Sequence, residues 1–182
     1  MPSVVDAAGV EDGDIVFHRS QSRQAGAIAA ATHSHYTHMG IVFISDGKPF
    51  VYEAVQPVKR TPLDEWTKRG VDERIVVKRL KDRSMIDMAE VHKHAKAFLG
   101  KDYGSSFDWS DDRIYCSELV WKAYNRAAGI EIGSLKKLRN FDLSSQLVRQ
   151  MLQERYGETI PLDMDVISPA CMFNSELLMT VE

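Results

Sequence analysis

The sequence predicts a single α+β domain. Three observations carry the prediction: helix candidates and antiparallel strand candidates occupy separate stretches, two of the strands are joined by a turn short enough to force a hairpin, and 182 residues with 44% hydrophobic content suffice for one core of ordinary domain size. No internal repeat, low-complexity tract or linker rich in Pro, Gly or Ser divides residues 1–182, so the whole chain reads as one unit.

Taken in order, a turn at Gly13 leads into a short strand at 14–17, and the alanine-rich stretch 23–32 (RQAGAIAAAT) reads as a short helix. After a histidine-rich loop, 39–44 is rich in β-branched and aromatic residues. Ser45-Asp-Gly-Lys48 is a hairpin turn, and 50–54 is the returning strand. Thr61 is placed to cap a short helix, with Pro62 at its first position and Asp64 and Glu65 in its first turn. Residues 74–80 (RIVVKRL) form another strand. Ser84 is expected to cap a helix carrying Met85, Met88, Ala89, His92, Ala95 and Leu99 and closed by Gly100, with His92 and His94 on solvated faces. A helix opening near Cys116 carries Leu119, Val120, Ala123 and Ala127 and ends at Gly129. The last helix, 145–156, stops at Gly157 ahead of Pro161.

Composition excludes several classes of function. The net charge is −3, with 23 basic and 26 acidic residues spread along the chain, so no basic footprint for a phosphate backbone exists and nucleic acid is not an expected partner. The longest purely apolar runs are four or five residues, such as 41–44, far short of the ~20 that an integral membrane helix needs. Met1-Pro-Ser-Val-Val lacks a basic n-region followed by an apolar stretch, which makes the cytoplasm the expected compartment. A cell-envelope location would require a leader removed beforehand. Cys116 and Cys171 stand apart without a CxxC, which argues against a zinc site or a disulfide framework, and Cys171 reads as a small apolar filler. His33 and His35 precede His38 on a loop without carboxylate or thiolate company, so neither a metal nor a cofactor is expected.

Three side chains invite chemistry. A thiolate, not a thiol, attacks a carbonyl, and the unsatisfied N–H groups and positive dipole end of a helix start favour the anion at Cys116. By itself such a cysteine reads more readily as a small structural residue than as a nucleophile. His38 stands at the mouth of the 39–44 strand, where it is either a base or a hydrogen-bonded core histidine. Glu53, between Tyr52 and Ala54, is costly to bury unpaired, so it either faces solvent or has a cationic or N–H partner. With the turn centred on 46 and 47, position 38 falls opposite about 54 or 55, which makes His38 and Glu53 neighbours within one or two residues of register.

Leu99-Gly-Lys-Asp-Tyr103 followed by Tyr115-Cys-Ser-Glu-Leu-Val120 resembles the nucleophile segment of NlpC-type cysteine peptidases, and His38-Met-Gly-Ile-Val42 resembles their histidine strand. In the ordinary family the cysteine comes first; here the histidine does. That order, together with Gly13-Asp-Ile-Val-Phe17, Tyr52-Glu-Ala54, Thr61-Pro-Leu63, Phe107-x-Trp-Ser-Asp-Asp-Arg113 and Phe141-Asp-Leu143, is similar to the YiiX/YaeF-type permuted papain-like amidases over about residues 12–170. The resemblance implies a circularly permuted papain-like fold and a cysteine hydrolase that cleaves an amide or related acyl bond through an acyl-thioester. It implies Cys116 as nucleophile, His38 as general base and then acid, Glu53 as the group that orients the imidazole, and Tyr103 and Tyr115 beside the oxyanion and substrate. The partner implied is a small amide, peptide or acyl substrate. Tyr115 stands where the ordinary family has an aspartate that pairs with a peptide amine, so its cell-wall specificity does not carry over. Trp109, Asp111, Asp112 and Arg113 are expected to shape the loop ahead of Cys116, with a substrate carboxylate as the other use of Arg113. Two further readings compete: an acyltransferase or phospholipase of the lecithin:retinol acyltransferase type, and a binding module without turnover.

Overall fold

A computed structural model describes residues 9–84 and 86–181. Among the described residues, ten strands and six α-helices appear in the order β1 (Ile15–Ser20), α1 (Ala25–Thr32), β2 (His38–Ser45), β3 (Lys48–Glu53), β4 (Lys59–Pro62), α2 (Leu63–Lys68), β5 (Gly70–Leu80), α3 (Met88–Lys96), β6 (Asp102–Tyr103), β7 (Arg113–Ile114), α4 (Cys116–Ala128), β8 (Lys136–Lys137), α5 (Gln146–Tyr156), β9 (Asp165–Val166), α6 (Pro169–Phe173) and β10 (Leu178–Thr180). The main sheet has the order β10-β5-β1-β2-β3-β4 and its pairs are antiparallel. The α+β expectation holds.

Strand alternation sends side chains to two different cores. Ile15, Phe17, Met39, Ile41, Phe43 and Tyr52 pack against α3 and α4 through Val91, Ala95, Leu119, Val120 and Ala123. From the opposite face Val16, Val42, Val51 and Val77 pack on Leu63 and Trp66 of α2. A third apolar cluster, Ala27, Leu138, Val148, Leu152 and Val166, joins α1 to α5 beside the sheet. The β2–β3 hairpin closes through Asp46 and Gly47, both at positive φ, which matches the two-residue turn that suits strand twist.

Several local expectations shift. Thr61 does not cap a helix: it pairs with Val51 inside β4, because its hydroxyl is claimed by Glu53 Oε1 at 2.7 Å, and α2 starts at Leu63. The cap of α3 is Asp87, whose Oδ1 accepts from the Ala89 N–H at 2.8 Å, whereas the Ser84 amide and hydroxyl both donate to Asp82. Met85 lies outside the described residues. His92 is not on a solvated face; it stacks on Phe43 at 4.3 Å and hydrogen-bonds the Tyr52 hydroxyl at 2.8 Å. The 74–80 strand is longer than its apolar pattern, reaching back to Gly70 through an irregularity between His18 and Ser20 of its partner strand.

Candidate active site

Cys116 occupies the first turn of α4, buried at 6% exposure, with Tyr115 as the residue before the helix. A tyrosine ring cannot fold back to cap, and no side chain of Tyr115 takes up the free N–H groups of this turn. Those donors remain available beside the sulfur. The turn is anchored from its other sides: Glu118 Oε2 accepts the Tyr115 N–H at 3.3 Å, and the Ser117 hydroxyl donates to the Ile167 carbonyl at 2.9 Å. Glu118 is ion-paired with Lys122 at 2.7 Å; burial nevertheless lifts its carboxyl to about 7, the lysine only partly opposing this.

The sheet brings the other two residues. The β2–β3 register pairs Ile41 with Tyr52 and Val42 with Val51, which sets Gly40 against Glu53. Gly40 is needed there: a Cβ would lie 2.4 Å from Val51 Cγ1 and 2.8 Å from the Tyr52 carbonyl oxygen. The Glu53 carboxylate is fully buried under α2 and collects four donors. His38 Nε2 is 2.7 Å from Oε2, Trp66 Nε1 donates to Oε2 at 3.0 Å, the Thr61 hydroxyl donates to Oε1 at 2.7 Å, and the Arg69 guanidinium donates to Oε1. Burial alone would raise this carboxyl, but the hydrogen bond and charge of His38, with Thr61 and Arg69, bring it down to about 2.

His38 sits at the strand's end with its ring between Glu53 and Cys116. Burial disfavours its cation, yet the hydrogen bonds and charges of Cys116 and Glu53 outweigh that and raise it to about 9. Since Nε2 is taken by Glu53, Nδ1 is the nitrogen that faces the thiol. Behind this pair lies His18, 1% exposed, stacked on Trp66 at 3.9 Å between ring centroids and 5.3 Å from the His38 ring. Burial first, then the cations of His38 and Arg69, push His18 down to about 3, so it is neutral beside its charged neighbour.

Two cavities meet at this group. A narrow slot of about 60 Å³ runs from Cys116 between α1 and α5, lined by Tyr103, Phe107, Tyr115, Leu143, Met151 and Ile167 among others. Its walls Ala31, Thr32, Phe141 and Ser168 continue into a broader cleft of about 890 Å³. On the other side a polar cleft of about 500 Å³ is lined by His38, His18, Gln56, Lys68 and Arg69. Tyr103 lines both the slot and the polar cleft. Its hydroxyl accepts from Gln24 Nε2 at 2.9 Å.

The structure therefore brings together Cys116, His38, Glu53 and Tyr103. Tyr115 contributes its ring to the slot, while its hydroxyl accepts from the Ile167 N–H at 3.2 Å. Arg113 is exposed on β7 and lines neither cavity beside Cys116. Asp111 pairs with Lys122 and Arg126, as a loop-shaping role requires. His33 pairs with Asp142 at 3.0 Å at the end of α1, and Cys171 is half-buried on the wall of the broader cleft. Sequence reasoning missed His18, Trp66 and Arg69 around Glu53, and Gln24 beside Tyr103. The one signal available was period-two alternation, which puts His18 two residues beyond the buried Val16.

A cysteine at a helix start, facing a histidine and a buried carboxylate on an antiparallel sheet, is the arrangement of papain-like cysteine hydrolases, here with the histidine ahead of the cysteine in the chain. The chain belongs to the permuted papain-like amidase family described as YaeF/YiiX, C92, whose family model matches residues 9–182. It is 46% identical over 172 residues to the uncharacterized protein YiiX of Escherichia coli strain K12, covering 94% of this chain and 85% of that protein. The crystal structure of YiiX from Escherichia coli O157:H7 superposes with a TM-score of 0.90 at 45% identity, over 96% of this chain and 97% of the other. That relative is described as a metalloprotein. Among the described residues of this chain, no group of three or more His, Cys, Asp or Glu side chains is placed to hold a metal ion.

Proposed function

We propose that the protein is a cysteine hydrolase that cleaves an amide or related acyl bond through an acyl-thioester on Cys116, and that the acyl group it accepts is narrow and apolar next to the carbonyl. The observation that carries this reading is the position of Cys116, with the His38–Glu53 pair on one side and the apolar slot on the other.

In the first step the thiolate held by the His38 imidazolium attacks the carbonyl carbon, and the oxygen becomes an anion against the Cys116 N–H. Collapse of that intermediate breaks the bond to the leaving group, which takes the proton from His38 Nδ1 and departs through the polar cleft. Water then attacks the thioester, giving its proton back to His38, and the thiolate leaves. Glu53 fixes the ring so that Nδ1 faces the sulfur throughout, and it stabilises the cation. A slot of about 60 Å³ holds roughly two water-sized groups, which suits an unbranched acyl stem and excludes a bulky polar side chain. The opening into the broader cleft gives a longer chain a way out.

The test is intact-mass analysis after mixing with p-nitrophenyl butyrate. A butyryl adduct that is lost in Cys116→Ala and turns over in water supports the hydrolase. An adduct that persists in water but discharges onto an added lipid or amine acceptor favours the acyltransferase reading, which the apolar slot also suits. Absence of any adduct would leave the binding module.

A further inference from the structure

The hydrogen-bond chain behind Tyr103 has a direction that donor and acceptor chemistry fixes. Gln24 is the residue preceding α1, but its side chain does not cap that helix. Its amide instead bridges two groups: Nε2 donates to the Tyr103 hydroxyl oxygen at 2.9 Å, and Oε1 accepts from the Arg155 guanidinium. An arginine carries donors and no acceptor, so the amide oxygen must face Arg155. The amide nitrogen then must face Tyr103, and the tyrosine oxygen can only accept there. Its own proton points elsewhere, and among the described residues no acceptor is hydrogen-bonded to it. Tyr103 lines both the slot that starts at Cys116 and the cleft that contains His38. Arg155 is itself held, with its guanidinium 4.3 Å over the Phe107 ring and in the last turn of α5, where the helix dipole favours a cation.

We propose that Gln24 and Arg155 are positioning residues that turn the Tyr103 hydroxyl proton into the active site, toward the oxyanion beside which the family resemblance already places Tyr103. This deepens the hydrolase reading and rests on it. The opposite amide orientation would set two donors against each other at Arg155 and draw the Tyr103 proton onto Gln24, away from the reacting carbonyl. Three elements distant in sequence, the start of α1, β6 and the end of α5, are thereby tied to one proton.

The decisive variant is Gln24→Glu. A carboxylate keeps the contact with Arg155 but offers only acceptors, so the Tyr103 hydroxyl turns to donate to it. Acylation by p-nitrophenyl butyrate is followed as the first turnover at saturating ester, in a Cys171→Ser background. Alkylation of Cys116 by iodoacetamide, which builds no oxyanion, is measured in parallel. Losing one oxyanion donor slows acylation by roughly 10²-fold, so Tyr103→Phe and Gln24→Glu should each show that loss. The double variant should be no slower than either, and alkylation should stay within about twofold of the parent. Gln24→Met leaves the hydroxyl free to rotate, so only a fraction of molecules are competent and the loss is roughly threefold to tenfold. That variant carries the test should the charged one not fold. Parental acylation in either Gln24 variant, losses that multiply in the double variant, or alkylation falling in step with acylation would overturn the proposal. A parent that is never acylated sinks the hydrolase reading and this inference with it, whereas an active parent with unaffected variants sinks this inference alone.

Discussion

Replacing Glu53 with glutamine removes a charge and an acceptor from the most heavily bonded side chain of the site. Four donors converge on the fully buried carboxylate, from His38, Thr61, Trp66 and Arg69. A glutamine has one acceptor oxygen and would turn an NH₂ group toward the remaining donors. The carboxyl is held at about 2 instead of 4.5, which at 1.36 kcal/mol per pH unit corresponds to about 3 kcal/mol in favour of the ionised, folded form. Breaking a buried pair by removing one partner falls in the same range, about 3–5 kcal/mol. The rise of His38 to about 9 is the same interaction seen from its other end, together with the contribution of Cys116, so the two are not added. Because the folded carboxyl is depressed, its stabilisation is present in full above about 4.5 and is lost as the pH falls through about 2. Urea unfolding of parent and Glu53→Gln should therefore differ by about 3 kcal/mol at pH 6 to 7 and by roughly half as much at pH 3. A gap that stays constant over this range, or one below about 1 kcal/mol at pH 7, would show that the charge does not contribute and would refute the reasoning.

Three further predictions follow from the same geometry. His38→Ala should slow iodoacetamide alkylation of Cys116 by roughly 10²-fold at pH 6, where an unassisted thiol is almost wholly protonated; the two proteins should converge above about pH 9, where His38 loses its own proton. Gly40→Ala drives a methyl group into the Tyr52 carbonyl and Val51, so its melting temperature should fall by an amount corresponding to about 1–3 kcal/mol, with His38-dependent reactivity falling too as β2 moves off β3. Glu118, raised to about 7 from 4.5, contributes stability that is present below about 4.5 and lost as the pH rises through 7. The parent should thus lose up to about 3 kcal/mol relative to Glu118→Gln between pH 4.5 and pH 8, measured by urea titration. A flat difference would mean that Lys122 alone sets the state of this carboxyl.

What could be read from the sequence was what is written locally. The β2–β3 hairpin follows from Asp46-Gly47 between two β-branched and aromatic runs, and the ends of α4 and α5 follow from Gly129 and Gly157. The proximity of His38 and Glu53 was within reach because one turn fixes the register of both strands. Neighbours supplied from a distance were not legible. Nothing near Glu53 in the chain announces Arg69 or Trp66, and Thr61-Pro62 imitates a helix start so well that β4 is hidden behind it. Gln24 and Arg155 are ordinary polar residues on two helices until the fold places them on either side of one hydrogen-bond chain. The Ser168-Pro169 pair, by contrast, carried a usable signal for α6: the serine caps and the proline takes the first turn.

The site is assembled across the rim of the sheet, and this explains why the order of its residues along the chain is free to change. By strand alternation His18, His38 and Glu53 belong to the face packed on α2, with Val16, Val42 and Val51. Cys116 belongs to the opposite layer, where α4 packs on Ile15, Met39 and Ile41. His38 can serve both because it is the first residue of β2, at the end of the sheet, where its ring reaches Glu53 on one side and the α4 start on the other. Each member is held by contacts of its own: Glu53 by Thr61, Trp66 and Arg69, the Cys116 turn by Glu118 and Ile167, and His38 by its pairing with His18. No anchor depends on the cysteine preceding the histidine in sequence. A chain that enters the fold at the sheet, with the histidine first, can therefore close the same constellation as one that enters at the helix.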